Sequence, residues 1–143
     1  MRRWTPKLNL SGGFTLANHT YAFTDTVRSA SSSISNGDQI DTAPHALGYM
    51  QIAAAPTDAL NIALKWQHMG AYYTDPGNTA KYPGHDIFTL RGLYDVTKNI
   101  SVYGRVDNIF NTAYANRADF AFGDNRYFPG RPRALLIGVR FKE

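Results

Sequence analysis

Apolar and polar side chains alternate with period two in six separated stretches of this chain, the pattern of a strand with one apolar and one wet face. In the first, Leu8, Leu10, Gly12, Phe14 and Leu16 alternate with Asn9, Ser11, Gly13 and Thr15, and the stretch has room to run on as far as Ala22. The second, residues 45–55, is less regular and holds Leu47, Tyr49 and Ile52 among small residues. The third sets Leu60, Ile62, Leu64 and Trp66 against Asn61, Ala63, Lys65 and Gln67, and His68 continues the apolar row. A charge at Lys65 fits only a wet face. In the fourth, Phe88, Leu90, Gly92 and Tyr94 alternate with Thr89, Arg91 and Asp95; in the fifth, Ile100, Val102 and Val106 alternate with Ser101, Arg105 and Asp107. The sixth sets Leu135, Ile137, Val139 and Phe141 against Gly138 and Arg140. Each stretch is roughly ten residues, the length a tilted strand needs to cross a bilayer. The pattern predicts an all-β fold, an antiparallel up-and-down meander of about six long strands.

The connections alternate long, short, long, short, long, as they do in membrane barrels with tight turns on one side and long loops on the other. Residues 26–44 are Ser-rich with Asn36-Gly37-Asp38 as the expected tip, and residues 73–84 carry Asp75-Pro76-Gly77-Asn78 and Pro83-Gly84. Residues 111–130 form the third long connection, whereas Pro56-Thr57-Asp58 and Thr97-Lys98-Asn99 are tight turns. Strands one, three and five then run outward, and the short turns lie at the periplasmic rim. Tyr72, Tyr73, Tyr82, Tyr127 and Phe128 fall near outer strand ends, where an aromatic girdle is expected. Asn108 and Asn111 read as turn or bulge residues whose side chains bond nearby backbone.

Composition narrows the choice. Although 43% of residues are hydrophobic, no run of eighteen apolar residues exists, so a membrane-spanning helix is excluded. Nine Tyr and eight Phe suit strands. The absence of Cys excludes disulfides, thiolate zinc sites and thiol catalysis. A net charge of +4 is spread along the chain, so a nucleic-acid partner is not expected. Met1, Arg2, Arg3 and Trp4 are not followed by the apolar run of an export signal, which points to a mature or incomplete exported chain.

Three segments, taken together, carry a family resemblance: Tyr103-Gly104-Arg105-Val106-Asp107-Asn108-Ile109-Phe110-Asn111 followed by Tyr114; Phe128-Pro129-Gly130-Arg131-Pro132-Arg133; and Gly138-Val139-Arg140-Phe141. In order and spacing they resemble the C-terminal end of TonB-dependent outer-membrane receptors, with Ile109 and Asn111 where Leu and Asp are usual. The resemblance implies that residues 1–143 are the C-terminal segment of a receptor barrel, a plugged barrel of about 22 strands. It also implies that the plug and the earlier strands lie elsewhere. The implied activity is energised uptake of a scarce nutrient, probed first as a ferric siderophore, with outer-membrane lipid as one partner and the TonB system, acting through the plug, as another. Barrels of this kind usually end on an aromatic residue; Gly138 and Phe141 fit, but Lys142 and Glu143 follow.

Arg91, Arg105 and Asp107 share the polar rows of the fourth and fifth strands and are expected to face the lumen, with wall salt bridging as their plainest role. Arg117, Phe120, Phe122 and Arg126 lie on the longest aromatic connection and are the candidate ligand contacts. Arg131 and Arg133 bracket Pro132 and either bind an anion or anchor the last strand. His19, His45, His68 and the His85-Asp86 pair lack metal-ligand spacing, and no nucleophile, zinc or phosphate motif is present. Neither metal, cofactor nor catalysis is expected. Two rivals remain at this level: a small closed pore, in which the first and sixth strands pair, and a soluble β-sandwich binding module, in which the apolar faces pack together.

Overall fold

The computed structural model describes residues 7–27 and 32–142. Residues 1–4, read above for an export signal, and part of the Ser-rich connection lie outside them. Twelve strands follow in order: β1 Lys7–Leu16, β2 Asp25–Val27, β3 Ser32–Ile34, β4 Ala46–Thr57, β5 Leu60–Met69, β6 Tyr72–Tyr73, β7 Lys81–Tyr82, β8 His85–Asp95, β9 Ile100–Asp107, β10 Ala115–Ala121, β11 Asp124–Pro129 and β12 Ala134–Phe141. One antiparallel six-stranded sheet runs β1-β4-β5-β8-β9-β12, so every wall strand pairs with its predecessor among the long strands. The three remaining pairs, β2-β3, β6-β7 and β10-β11, are small hairpins inside the three long connections. The expected meander is therefore the observed one.

Register decides which side chains share a face. Leu64 stands opposite Ile52 and Leu90, Leu90 opposite Val106, and Val106 opposite Leu135. Leu10 extends the row by pairing with Ile52. One face is thereby apolar across all six strands, from Leu8, Leu10 and Phe14 to Ile137, Val139 and Phe141. It is uncovered: Leu8 is 70% exposed and Ile137 66%. The opposite face carries Lys7, Asn9, Gln51, Lys65, Arg91, Tyr103 and Arg105. Because a strand alternates strictly, a slip of one residue would put Lys65, Arg91 and Arg105 on the apolar side, so charge pins the register.

The short turns close tightly. Thr57 pairs with Leu60 across Asp58 and Ala59, after a register irregularity between Ala54 and Thr57. At the other short turn Thr97 Oγ1 accepts the N–H groups of Asn99 and Ile100. Aromatic rings fill the gaps that glycines leave in the sheet: Phe14 lies over Gly48 on the apolar face, and Tyr103 lies over Gly138 on the polar one.

Several expectations need correcting. The first strand ends at Leu16; beyond it the chain is held to residues 37–45 by an isolated bridge between Thr20 and Gln39 and by scattered backbone bonds such as Ala17 N–H to His45 O. Asn36-Gly37-Asp38 is not a loop tip: Gly37 N–H bonds Tyr21 O, folding this turn back on the chain. Strands β1 and β12 stand at opposite edges and do not pair with each other, which removes the small closed pore. No second apolar layer covers the apolar face among the described residues, as a sandwich would need.

Candidate functional site

Among the described residues the buried apolar cluster lies in the loops, with Met69 of β5 packed against it. Tyr72, Tyr82, Ala115 and Ala118 form a cluster with exposures of 3%, 5%, 3% and 0%. Tyr72 and Tyr82 were expected in a lipid girdle; instead their rings face each other at 5.3 Å beneath β10. Their hydroxyls explain why. The Ala118 N–H donates to Tyr72 Oη at 2.7 Å, and the Ala115 N–H donates to Tyr82 Oη at 3.0 Å. A phenol offers both an apolar body and a polar tip, so it can support a hairpin and satisfy its backbone at once. Burial pushes the Tyr72 phenol up, opposed by the Ala118 N–H.

On this platform β10 and β11 make a hairpin whose two-residue turn is Phe122-Gly123, with φ of 57° and 87°. Positive φ at both positions is the turn geometry that follows strand twist, and glycine supplies it without cost at the second. Phe122 is held at the tip and is 89% exposed. The Arg126 guanidinium lies 5.7 Å from the ring centres of both Phe122 and Phe128, and Arg117 lies 5.9 Å from Phe128. Asp119, only 4% exposed, sets both arginines in place. Arg126 Nε donates to it at 2.8 Å; Arg117 Nη2 approaches at 2.7 Å, a charge contact poorly aligned for a hydrogen bond. Of the four expected ligand contacts, Arg117 and Arg126 both lie against Phe128, and Arg126 also lies against Phe122 at the turn, while Arg117 sits near the base of the hairpin. Phe120 is half-buried, and its N–H bonds Thr74 O at 2.9 Å.

The other connections join this body. Asn78, at φ 56°, accepts the Gln39 N–H at 2.7 Å and donates to Gln39 O at 2.8 Å, completing a strand-like pair with one side chain. Thr42 N–H bonds Tyr73 O, and Thr74 Oγ1 donates to Asn125 Oδ1. Further along, Tyr21 Oη donates to Asp41 Oδ1 at 2.7 Å. Burial, and then the hydrogen bond to Asp41, push this phenol up to about 12. Its folded value lies above the ordinary tyrosine value of about 10, so the neutral form is the one the fold favours. The tie is expected to be intact below pH 10 and lost as pH rises toward about 12. Ultraviolet titration of tyrosinate, comparing wild type with Tyr21→Phe, checks this; a Tyr21 that ionises with the free phenols would contradict it.

On the polar face of the wall, Arg91 stands directly opposite Arg105. Arg91 Nη2 donates to Gln51 Oε1 at 2.9 Å, and Arg105 Nη2 pairs with Asp107 at 3.0 Å. Asp95, on the same row as Arg91, is engaged by Ser101 Oγ and by Lys142 Nζ. Lys65 lies over the Tyr49 ring at 5.6 Å. At the outer rim of the apolar face, Asp86 Oδ1 accepts Trp66 Nε1 at 2.7 Å and contacts His68 Nδ1 at 2.8 Å. Sequence reasoning missed Gln51, Asn78 and Asp119, since each is defined only by a cross-strand or cross-loop neighbour.

Between the loops and the wall, Asn108 and Asn111 behave as expected, both in the left-handed region. Arg133 is tied through its backbone, its N–H donating to Asn111 Oδ1 at 3.0 Å, while Arg131 and Arg133 are exposed.

Comparison with known proteins follows this architecture. Residues 1–109 match the family described as TonB dependent receptor-like, beta-barrel. The match falls on the upstream strands, ahead of the Pro-Gly-Arg-Pro-Arg segment on which the sequence resemblance chiefly rested. Over 73 residues the chain is 29% identical to the vitamin B12 transporter BtuB of Photobacterium profundum, covering 47% of this chain and 12% of that protein. Among solved structures, the siderophore receptor PiuA of Acinetobacter baumannii superposes with a TM-score of 0.75 at 18% identity, covering 94% of this chain and 19% of that one. The ferric-catecholate import receptor Fiu of E. coli K12 superposes with a TM-score of 0.74 at 21% identity, covering 96% and 19%. The chain thus spans about a fifth or less of the length of these proteins.

Proposed function

Because the chain belongs to the TonB-dependent receptor-like β-barrel family of the bacterial outer membrane, we propose that it forms the C-terminal wall of a receptor that takes up a scarce nutrient, a ferric siderophore in the first instance. In this reading residues 1–143 are one segment of a longer protein, whose plug and remaining strands complete the barrel and couple it to TonB. The apolar face meets lipid, the polar face lines the lumen, and the β10-β11 hairpin stands at the outer mouth. The role is transport, not catalysis, and no cofactor or nucleic acid enters it.

The observation that carries this reading is the distribution of charge on the sheet. Among the described strand residues, the apolar face holds one ionised side chain, Asp86, and it lies at the rim beside Trp66 and His68. An uncovered apolar face of this extent, spanning six strands, needs an apolar medium. The choice of nutrient draws on the hairpin. Guanidinium groups held against aromatic rings suit an anionic, ring-bearing chelate. The neighbours' names point the same way in PiuA and Fiu, while BtuB names a different nutrient.

Uptake of radiolabelled iron chelates by cells lacking, then regaining, the full-length receptor tests the nutrient; unchanged uptake in both would sink the siderophore reading. Within that receptor, Phe122→Ala with Arg126→Ala is expected to weaken ligand binding by about tenfold or more, the cost of losing an aromatic and arginine anchor. Heat-modifiable gel mobility should be retained, because neither side chain supports the wall. Full affinity in the double variant would remove the hairpin from the binding site.

A further inference from the structure

We infer that Arg91 and Arg105 form a carboxylate-binding site on the polar face of the wall, with Lys7 and Arg140 completing its positive field. The inference begins from register. Like charges directly opposite one another weaken a ladder, and Arg91 and Arg105 are register partners on one face, with Arg91 reaching toward Gln51 on β4 and Arg105 along β9 toward Asp107. Among the described residues the partner of Arg91 is the neutral Gln51, and no ion pair there offsets its charge; Arg105 shares one carboxylate, Asp107. Among the described residues, Arg105 Nε is buried and has no hydrogen-bond partner. A buried donor left unpaired is costly, so a native protein usually supplies an acceptor.

The surroundings supply a place for one. In front of the two arginines the sheet curves around an open concavity of about 720 Å³ whose lining includes Lys7, Arg91, Arg105 and Arg140, and neither Asp nor Glu. Four cations around one hollow with low-dielectric walls concentrate positive potential there. Gln51 and Asn61, also on the lining, offer amide donors beside it. A guanidinium presents parallel N–H groups that match the two oxygens of a carboxylate, and a carboxylate in this concavity would meet the unpaired Arg105 Nε, with Arg91 on the same lining. The carboxylate has two possible sources: an acidic side chain from another part of the longer polypeptide, or a free polycarboxylate within the lumen. The site rests on the reading of this face as a lumen wall.

The test uses the full-length receptor in detergent micelles, with citrate as the free probe. Thermal unfolding is followed for wild type, for Arg91→Gln with Arg105→Gln, and for the charge-retaining pair Arg91→Lys with Arg105→Lys. In parallel, the Lys pair is treated with a carbodiimide, which joins an amine to a contacting carboxylate, and cross-linked peptides are identified by mass spectrometry. A free carboxylate is expected to appear as a citrate-dependent rise in melting temperature that is lost in the Gln pair and kept at least in part in the Lys pair. A carboxylate from the polypeptide is expected to appear as a cross-link from position 91 or 105 to an Asp or Glu other than Asp107, with citrate inert. Either outcome supports the site. It is overturned if no cross-link forms and citrate shifts nothing, or if the citrate shift survives in the Gln pair. A wild-type receptor without heat-modifiable mobility would overturn the barrel reading as well, which keeps the two failures apart.

Discussion

Replacing Leu64 by Arg is expected to destabilise the inserted barrel by about 2–4 kcal/mol, the cost of a cation near the middle of a lipid-facing strand. Leu64 occupies the centre of the apolar row, opposite Ile52 on one side and Leu90 on the other. Its substitution alters no hydrogen bond of the ladder and adds no bulk to a closed core. The expected loss therefore comes from moving a guanidinium out of water, reduced by whatever reach the side chain has toward the headgroups. Ser11 provides the control. It lies on the opposite face, pairing with Gln51, so Ser11→Arg places the same charge in a wet setting and is expected to fold with little penalty. Folding of the full-length receptor into vesicles of graded denaturant content, read by heat-modifiable mobility, compares the two. Equal penalties would mean that the apolar face does not meet lipid.

The same alternation explains why the wall was legible in the chain. A ten-residue strand such as Leu60–Met69 repeats its pattern often enough to fix both its existence and its faces. The hairpins inside the long connections were not legible, because strands of two or three residues such as Tyr72–Tyr73 or Ser32–Ile34 repeat nothing. Their stability is non-local. Tyr82 finds its partner at Ala115, Tyr72 at Ala118 and Asn78 at Gln39. Reading Tyr72 and Tyr82 as a girdle failed for this reason: position near a strand end does not reveal whether a ring meets lipid or another loop. On the candidate sites the division is similar. Arg91 and Arg105 could be assigned to one face by counting residues, yet that they stand opposite each other depends on the β8-β9 register. The arginines and Phe122 of the outer hairpin could be listed as loop residues, but Asp119, which holds both arginines, is recognisable only once the hairpin is folded.

Asn108 joins the wall to the outer loops, and the second large effect is expected there. Its side chain is buried, with 2% exposure, and makes three bonds to backbone. Nδ2 donates to Thr112 O at 2.9 Å and to Arg131 O at 3.2 Å, while Oδ1 accepts the Thr112 N–H at 2.9 Å. The residue also sits at φ 49°, a conformation that asparagine tolerates better than alanine. Asn108→Ala removes the three partners and adds backbone strain, and is expected to cost about 3–5 kcal/mol when losses of about 1–3 kcal/mol for stranded buried groups are combined with the strain. Asn108→Gly separates the two contributions, since glycine accepts the backbone angle but makes no side-chain bond. If the bonds dominate, Gly and Ala are similarly destabilised; if the angle dominates, Gly is near wild type. Denaturant unfolding of the receptor gives the total loss, and hydrogen exchange locates it. The expected opening is at residues 108–112 and 131–133 together, because the Asn108 side chain bonds both Thr112 O and Arg131 O and so holds the end of β9 against the approach to β12. Exchange confined to residues 108–112 would show that Arg131 is held by something else.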